Sequence, residues 1–351
     1  MKFFRRSAVA ALAVVATLTL SACGSGAEEG ALGGKVGLAY DIGGRGDKSF
    51  NDSAAEGLDR AKAEFGIEAK EVTVTTGSDS EREDKLRLLA EAGYNPIIAV
   101  GFLYAGPIKT VATDYPDISF AIIDDSSVGL PNVAGLVFAE EQGSYLAGVA
   151  AALASKSGKI GYIGGVRIPL LQKFEAGFVA GVKATKASAT VDVKYVTEPP
   201  DFGGFNDPAK AKIIAKGMID KGIDVIYSAA GGSGAGNFAA ATEAAAAGKK
   251  VWTIGVDSDQ YLNASADEQK NMLTSMLKQV GTAVYDVIAS AKDGSTVSDP
   301  IGDGIVGRVY DLARDGVGVS YSGGYIDQYK AQIDAAVAAI KSGEITVPTT
   351  P

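Results

Sequence analysis

Four clusters of chemically capable side chains each follow directly on a short apolar run. The first reads Asp41-Ile42-Gly43-Gly44-Arg45-Gly46-Asp47-Lys48-Ser49-Phe50-Asn51-Asp52. Its glycines let the chain fold back tightly. Phe50 and Asn51 then fall near a helix start, with Asn51, Asp52 or Ser53 as candidate caps. An aromatic ring beside a carboxamide can stack on a planar heterocycle and hydrogen-bond its edge. The alternative is plainer, with Phe50 as a core anchor and Asn51 as a cap. The stretch narrowly misses a phosphate-binding loop, which needs Gly directly before Lys-Ser/Thr. Asp47 intervenes and sets a negative charge where phosphate would sit. Arg45-Gly46-Asp47 has the form of an adhesion tripeptide, but chance and turn chemistry explain it better.

The second cluster is Asp124-Asp125, after the run ending at Ile123. Such carboxylates bind hydroxyls or amino groups, or sit solvated in a turn; nothing else supports a catalytic pair. The third is Ala229-Ala230-Gly231-Gly232-Ser233-Gly234-Ala235-Gly236-Asn237, a Gly-rich strand-to-helix turn. It has the outline of a phosphate cradle without a Lys or Arg. Close approach of its backbone, Gly231 included, to an uncharged ligand is the alternative, as is a purely structural turn. The fourth is Gly255-Val256-Asp257-Ser258-Asp259-Gln260. A carboxylate at Asp257 can accept two vicinal hydroxyls. Lys278 can donate to the same hydroxyls and balance Asp257, or else lie solvated on the surface.

The residue counts narrow this chemistry. The 351-residue chain has no His and one Cys. Without His there is no His general base, Ser-His-Asp triad or His-ligated metal. A single Cys forms no intrachain disulfide and no Cys-cluster site. No cofactor is called for. With 33 Lys+Arg against 42 Asp+Glu the net charge is −9, which argues against nucleic acid as a partner. It also disfavours anionic ligands, unless a local basic pocket overrides it. The length suits two domains with sizeable cores. Gly at 45 residues is nearly twice the usual share and predicts many tight turns.

Lys2, Arg5 and Arg6 form a positive leader, followed by an uncharged apolar stretch over Ser7–Leu20. That stretch is too short and ends too abruptly for a transmembrane helix. Leu20-Ser21-Ala22-Cys23 then has the form of a bacterial lipobox. Cleavage would remove residues 1–22 and leave Cys23 to be lipidated; an ordinary secretory signal with an incidental Cys is the alternative. Residues 24–34 read as a flexible tether running on from Cys23, with the folded part starting near Lys35. Several acyl chains on Cys23 would anchor the protein stably on the extracytoplasmic face of the cell membrane.

Short β-branched runs alternate with helical segments along the rest of the chain. Strands are expected over 36–40, 71–75, 97–100, 119–123 and 134–138, with helices over 53–65, 81–92 and 107–114. After a helix over 143–154, strands are expected at 159–163, 191–196, 225–228 and 251–256. Helices at 171–184, 208–221 and 236–247 separate them. This alternation predicts an α/β fold of two doubly wound parallel-sheet lobes joined by crossover strands. Residues 35–140 with about 258–292 are assigned to lobe 1, and 141–257 with about 293–345 to lobe 2. Two lobes with several crossings form a cleft that opens by a hinge. Ligands of open α/β sheets lie beyond the strands' carboxyl ends, where the four clusters fall.

Taken in order, these segments resemble the basic membrane protein (BMP) family of bacterial nucleoside-binding lipoproteins that feed ABC transporters. The residues carrying the resemblance are the lipobox ending at Cys23, Asp47–Asn51, Ala121–Asp124, Phe174–Phe178, Ala229–Gly234, Ile254–Gln260 and Thr274–Lys278. The resemblance implies a type I periplasmic-binding-protein fold and a purine or related nucleoside in the cleft. It implies that Phe50 stacks on the base, while Asn51 and Asp124 hydrogen-bond its edge. Asp257 and Lys278 would hold the ribose hydroxyls, and Asp41 and Gly231 would line the cleft. A second aromatic should complete the base sandwich, with Tyr227 preferred over Phe205 and Phe238. Permease and ATPase subunits would be separate partner proteins, since this chain has no nucleotide-binding motif. Competing readings are a lipoprotein for a simple sugar or small signalling molecule, a nucleoside hydrolase using Asp124 and Asp257, and a sensory or adhesive surface lipoprotein.

Overall fold

The computed structural model describes residues 34–302 and 304–351. The expected leader, tether and Cys23 lie outside them. The chain starts with β1 (Lys35–Tyr40), α1 (Phe50–Phe65), β2 (Glu68–Thr73), α2 (Asp79–Glu91), β3 (Ile97–Ala99), α3 (Ala105–Asp114), β4 (Phe120–Ile123) and β5 (Val133–Phe138). It continues through α4 (Glu140–Ala154), β6 (Lys159–Val166), α5 (Pro169–Thr185), β7 (Thr190–Thr197), α6 (Pro208–Asp220), β8 (Val225–Ala229), α7 (Gly234–Ala246) and β9 (Trp252–Asp257). The last part holds α8 (Ala266–Gln269), β10 (Met272–Lys278), α9 (Val280–Lys292), β11 (Asp299–Gly302), β12 (Ile305–Tyr310), β13 (Val317–Val319) and α10 (Lys330–Lys341).

Two sheets result. One has the order β11-β12-β5-β4-β3-β1-β2, the other β13-β10-β9-β8-β6-β7. All neighbours are parallel except the edge pairs β11–β12 and β10–β13. Central strands are buried on both faces, as parallel strands under helices must be: Val36, Leu38 and Ala39 of β1 are fully buried. The edge strand β2 alternates polar and half-buried residues over Glu68–Thr73. Its start therefore lies ahead of the apolar run that suggested a strand at 71–75.

The crossing segments correct the expected lobe assignments. The stretch 258–292 does not go to lobe 1 as a whole. Its strand β10 pairs with β9 in the second sheet, while α9 packs on α1 of the first lobe. Likewise 293–345 is divided: β11 and β12 extend the first sheet beside β5, and β13 and α10 join the second lobe. Strand partners across such sequence separations are set by edge availability, which local patterning does not encode. The chain crosses between lobes after β5, after β10 and after β12. These crossings are tied together: Ala139 N donates to Tyr310 O (3.0 Å), Gln279 N to Gly316 O (2.9 Å) and Leu312 N to Gln142 Oε1 (3.0 Å).

The high glycine content serves helix packing as well as turns. A Cβ at Gly57 of α1 would lie 2.1 Å from the Gly281 carbonyl oxygen of α9. One at Gly236 of α7 would lie 2.0 Å from the Pro208 carbonyl of α6. Helices α4 and α5 meet in the same way through Gly148, Gly177 and Gly181. Among the described residues no helix is long and apolar enough to cross a membrane.

Candidate functional site

The carboxyl ends of β1, β3, β4, β8 and β9 converge on a cleft of about 830 Å³, its open mouth included. Asp41, Phe50, Asn51 and Asp124 line it from the first lobe; Gly231, Asp257 and Lys278 line it from the second. Tyr227 does not reach it. It is 0% exposed, packs against Phe178 and Tyr162 at ring distances of 5.0 and 5.6 Å, and has its hydroxyl 3.3 Å from Ser144 Oγ. Alternation along β8 turns this side chain toward α4 and α5, into the lobe core. Phe238 is also buried away from the cleft, whereas Phe205 lines it. Phe174 and Phe202 line the same side, and neither was singled out from the sequence as a ring-stacking residue. Phe202 meets Phe102 of the first lobe edge-on, with ring centroids 5.9 Å apart.

The start of α1 is organised by Asp47, not by the expected caps at Asn51, Asp52 or Ser53. Its carboxylate accepts the backbone N–H groups of Ser49, Asn51 and Asp52 at 2.9–3.1 Å. Asp47 thereby occupies the place where an anion would bind a helix N-terminus, and burial pushes its carboxyl above the usual range. Asn51 Nδ2 donates to Asp47 Oδ2 at 3.0 Å. A carboxylate only accepts in this contact, so the amide orientation is settled. Asn51 Oδ1 is left as a buried acceptor at the cleft wall with no partner among the described residues. Arg45 is clamped by Asp59 and Glu71, so Arg45-Gly46-Asp47 is structural and not a presented adhesion loop.

Asp41 is held by a residue the sequence did not single out. Arg82, 1% exposed, donates to Asp41 Oδ1 at 2.7 Å from α2. Gly231 adopts φ 55° and brings its backbone beside the Phe205 carbonyl. That left-handed conformation suits Gly.

The charged heart of the site spans both lobes. Asp124 and Asp257 end β4 and β9 with φ of 68° and 65°. Non-Gly residues adopt this region at an energetic cost and cluster at ligand sites. Lys278, 2% exposed, places its ammonium 2.7 Å from Asp124 and 3.1 Å from Glu140. Asp124 thus holds the ammonium while it lines the cleft, where the resemblance has it hydrogen-bond a base edge. Glu140 in turn meets Lys173 at 2.5 Å. Glu140 and Lys173 were not legible as site residues: an acid in a first helical turn reads as a dipole partner on a solvated face. Burial alone would lower the Lys278 pKa, but Asp124, Glu140 and Asp257 together raise it above the ordinary lysine range. Burial would raise Glu140, yet its two lysines hold it below the usual carboxylate range. Burial pushes Asp257 up to about 6, against the opposing pull of Lys278 and a hydrogen bond from Ser49. That bond, Ser49 Oγ to Asp257 Oδ2 at 2.6 Å, also ties the lobes together.

The arrangement suits a neutral ligand with one flat apolar part and one hydroxyl-bearing part. Aromatic walls take the first, and an ionised carboxylate beside an ammonium takes the second. A family model described as "ABC transporter substrate-binding protein PnrA-like" (Bmp) matches residues 35–350. The chain is 34% identical to the "ABC transporter nucleoside-binding protein BmpA" of Lactococcus lactis subsp. cremoris (strain MG1363), covering 97% of this chain and 98% of that protein. It is also 34% identical to the "CD4+ T-cell-stimulating antigen" of Listeria innocua serovar 6a, with 99% of each covered. A solute-binding protein of an ABC transporter system from Aeropyrum pernix K1 superposes with a TM-score of 0.75 at 29% identity, covering 90% of this chain and 93% of that one. These likenesses agree with the two-lobed binding-protein fold expected from the sequence. The chain belongs to the Bmp family of PnrA-like ABC transporter substrate-binding proteins, which bind solutes and are not enzymes.

Proposed function

We propose that this protein is the lipid-anchored, extracytoplasmic subunit of an ABC importer and that it binds a nucleoside, specifically a purine nucleoside. One observation carries the reading: a single cleft is lined by the Phe50 and Phe205 rings, by Asn51, whose Oδ1 accepts no hydrogen bond among the described residues, and by Asp257 and Lys278. Phe50 and Phe205 stack on the base from opposite lobes. Asn51 Oδ1 accepts from the base edge, and Asp257 and Lys278 take the ribose hydroxyls. Asp41, held by Arg82, and Gly231 complete the wall. Asp47 disfavours a phosphorylated ligand, because it already fills the anion position at α1. The printed name of the Lactococcus lactis relative supports the same ligand class. Cys23 carries the lipid, and permease and ATPase subunits complete the transporter.

A thermal-shift panel of nucleosides, free bases, nucleotides and sugars tests this, since a ligand binding only the folded state raises the melting temperature. Purine nucleosides should shift it and their monophosphates should not; a response to sugars alone sinks the base-stacking role. In calorimetry Phe50→Ala should weaken nucleoside binding by about 10- to 100-fold, the value of one stacked base.

Acidity should act through Asp257. Hydroxyls donate most strongly to the charged carboxylate, and protonation turns one of its two acceptor oxygens into a donor, so binding favours the ionised form. With its pKa at about 6 in the free protein, affinity should fall as pH drops below that value, by up to about tenfold per pH unit. Stability of the unliganded protein runs the other way. The folded-state pKa lies above the ordinary 3.8, so the folded state holds the extra proton between roughly pH 4 and 6. Its stability therefore declines as pH rises through that window. Calorimetry and urea melts at pH 5, 6 and 7.5 read both; affinity constant across that range would remove Asp257 from the site.

A further inference from the structure

Glu140 lies behind the cleft and takes none of the roles given above. It opens α4 directly after the first crossing and is 1% exposed. Its carboxylate stands between two ammonium groups, with Oε1 3.1 Å from Lys278 and Oε2 2.5 Å from Lys173. Lys173, on α5, also donates to the Phe138 carbonyl at 2.7 Å. Lys278 reaches across to Asp124 of the other lobe. The rings of Phe50, Phe138 and Phe174 surround its nitrogen at 5.3, 5.0 and 5.4 Å. An ammonium has three N–H donors. Asp124 accepts one, while Glu140 draws the ammonium by charge from 3.1 Å without accepting an N–H, and the remaining donors are left for the cleft that Lys278 lines.

We infer that Glu140 is a positioning residue: by holding the Lys278 ammonium in place through its charge, with Lys173 as its counter-charge, it keeps the remaining N–H groups directed at a ligand hydroxyl and so sets the preference for a sugar with vicinal hydroxyls. This rests on the nucleoside reading above. Glu140→Gln isolates the effect. Glutamine keeps the shape, and the remaining charges still pair: Lys278 with Asp124, and Lys173 with Glu141 at 3.6 Å. An amide, however, offers an acceptor on one side and a donor on the other. With its oxygen toward Lys278, its NH2 group confronts the Lys173 ammonium, donor against donor. The amide relieves this by turning its oxygen to Lys173, which sets its NH2 group against Lys278 and removes the second anchor of that ammonium. Removing Lys173 as well, in E140Q/K173M, relieves that conflict.

The experiment is calorimetric titration of wild type, E140Q and E140Q/K173M with adenosine, guanosine and their 2′,3′-dideoxy analogues. Wild type should favour the ribonucleosides by about 100-fold, the value of two hydroxyl contacts to charged groups. E140Q should lower ribonucleoside affinity by about 10- to 30-fold and leave the dideoxy compounds unchanged, so that the ratio collapses. The double variant should regain most of it. An equal loss for both kinds of ligand, or an unchanged ratio, overturns the positioning role while nucleoside binding stands. A wild type that binds none of the four compounds overturns the nucleoside reading and this inference with it. Should E140Q fail to fold, Lys173→Met probes the same link from its other end. Glu140 then pulls on Lys278 alone, and the ratio should drop by about threefold or more; a ratio equal to wild type refutes the idea.

Discussion

Lys278→Met should abolish nucleoside binding and lower stability at pH 7.5 by about 3–5 kcal/mol, the usual result of stranding a buried charge. Methionine nearly matches the aliphatic stem of lysine and keeps its packing among Phe50, Phe138 and Phe174. The loss is therefore electrostatic. Glu140 retains Lys173 at 2.5 Å, so Asp124 is the carboxylate left without its 2.7 Å cation. Its pKa is already raised by burial and is held down chiefly by Lys278. In the variant it must rise further. The folded state then binds a proton that the unfolded state does not, and stability is recovered as pH falls. Urea melts followed through the single Trp, Trp252, at pH 7.5 and 5.0 should show a deficit that narrows at the lower pH. A midpoint equal to wild type at pH 7.5 would mean that the ammonium does not balance Asp124.

The second large effect belongs to the scaffold. Gly177→Ala should destabilise the protein by about 1–3 kcal/mol, and Gly177→Val by more. A Cβ at Gly177 would lie 2.1 Å from the Glu141 carbonyl oxygen, and the obstacle is backbone that cannot swing aside. Gly181 and Gly148 meet Tyr145 and Phe178 carbonyls at 2.1 and 2.3 Å along the same seam. Helices α4 and α5 thus touch main chain to main chain. The seam also matters for binding, because α4 carries Glu140 while α5 carries Lys173 and Phe174. Prying it apart should weaken nucleoside affinity as well as lower the melting temperature. The sign of the stability change is diagnostic. An exposed helical Gly replaced by Ala gains about 1 kcal/mol from propensity. Gly217 on α6 meets no described residue within 4 Å at its Cβ position and serves as that control. If Gly177→Ala stabilises as Gly217→Ala does, the seam is looser than drawn.

Local order was legible wherever local physics governs it. Through β9 the runs of β-branched residues fall on strands and the segments between them on helices, with β2 shifted toward its N-terminus, and each chemically marked cluster lies at a strand end. Asp41, Asp124, Gly231 and Asp257 stand at or just beyond strand ends, where a parallel sheet binds its ligands. The outline of two lobes follows from the same alternation.

Other features depended on which distant element came to lie alongside. Tyr227 and Phe205 are both aromatic residues of the second lobe, yet β8 buries one while a turn presents the other. β10 could as well have joined the first lobe until a free edge beside β9 claimed it. Asn51 looked like a helix cap, and it is Asp47, four residues earlier, that does the capping.

From the sequence alone come the alternation of elements, the acidic balance, the absence of His and the residue types available at each strand end. These are properties of neighbours in the chain, written in periodicity and composition. The tertiary structure decided the pairings: Lys278 with Asp124 across 154 residues, Glu140 with Lys173 across 33, and Arg82 with Asp41 across 41. A charge shows its sign in the sequence, but its partner and its burial exist only once the lobes have packed. In a dry cleft those two properties decide what the charge can bind.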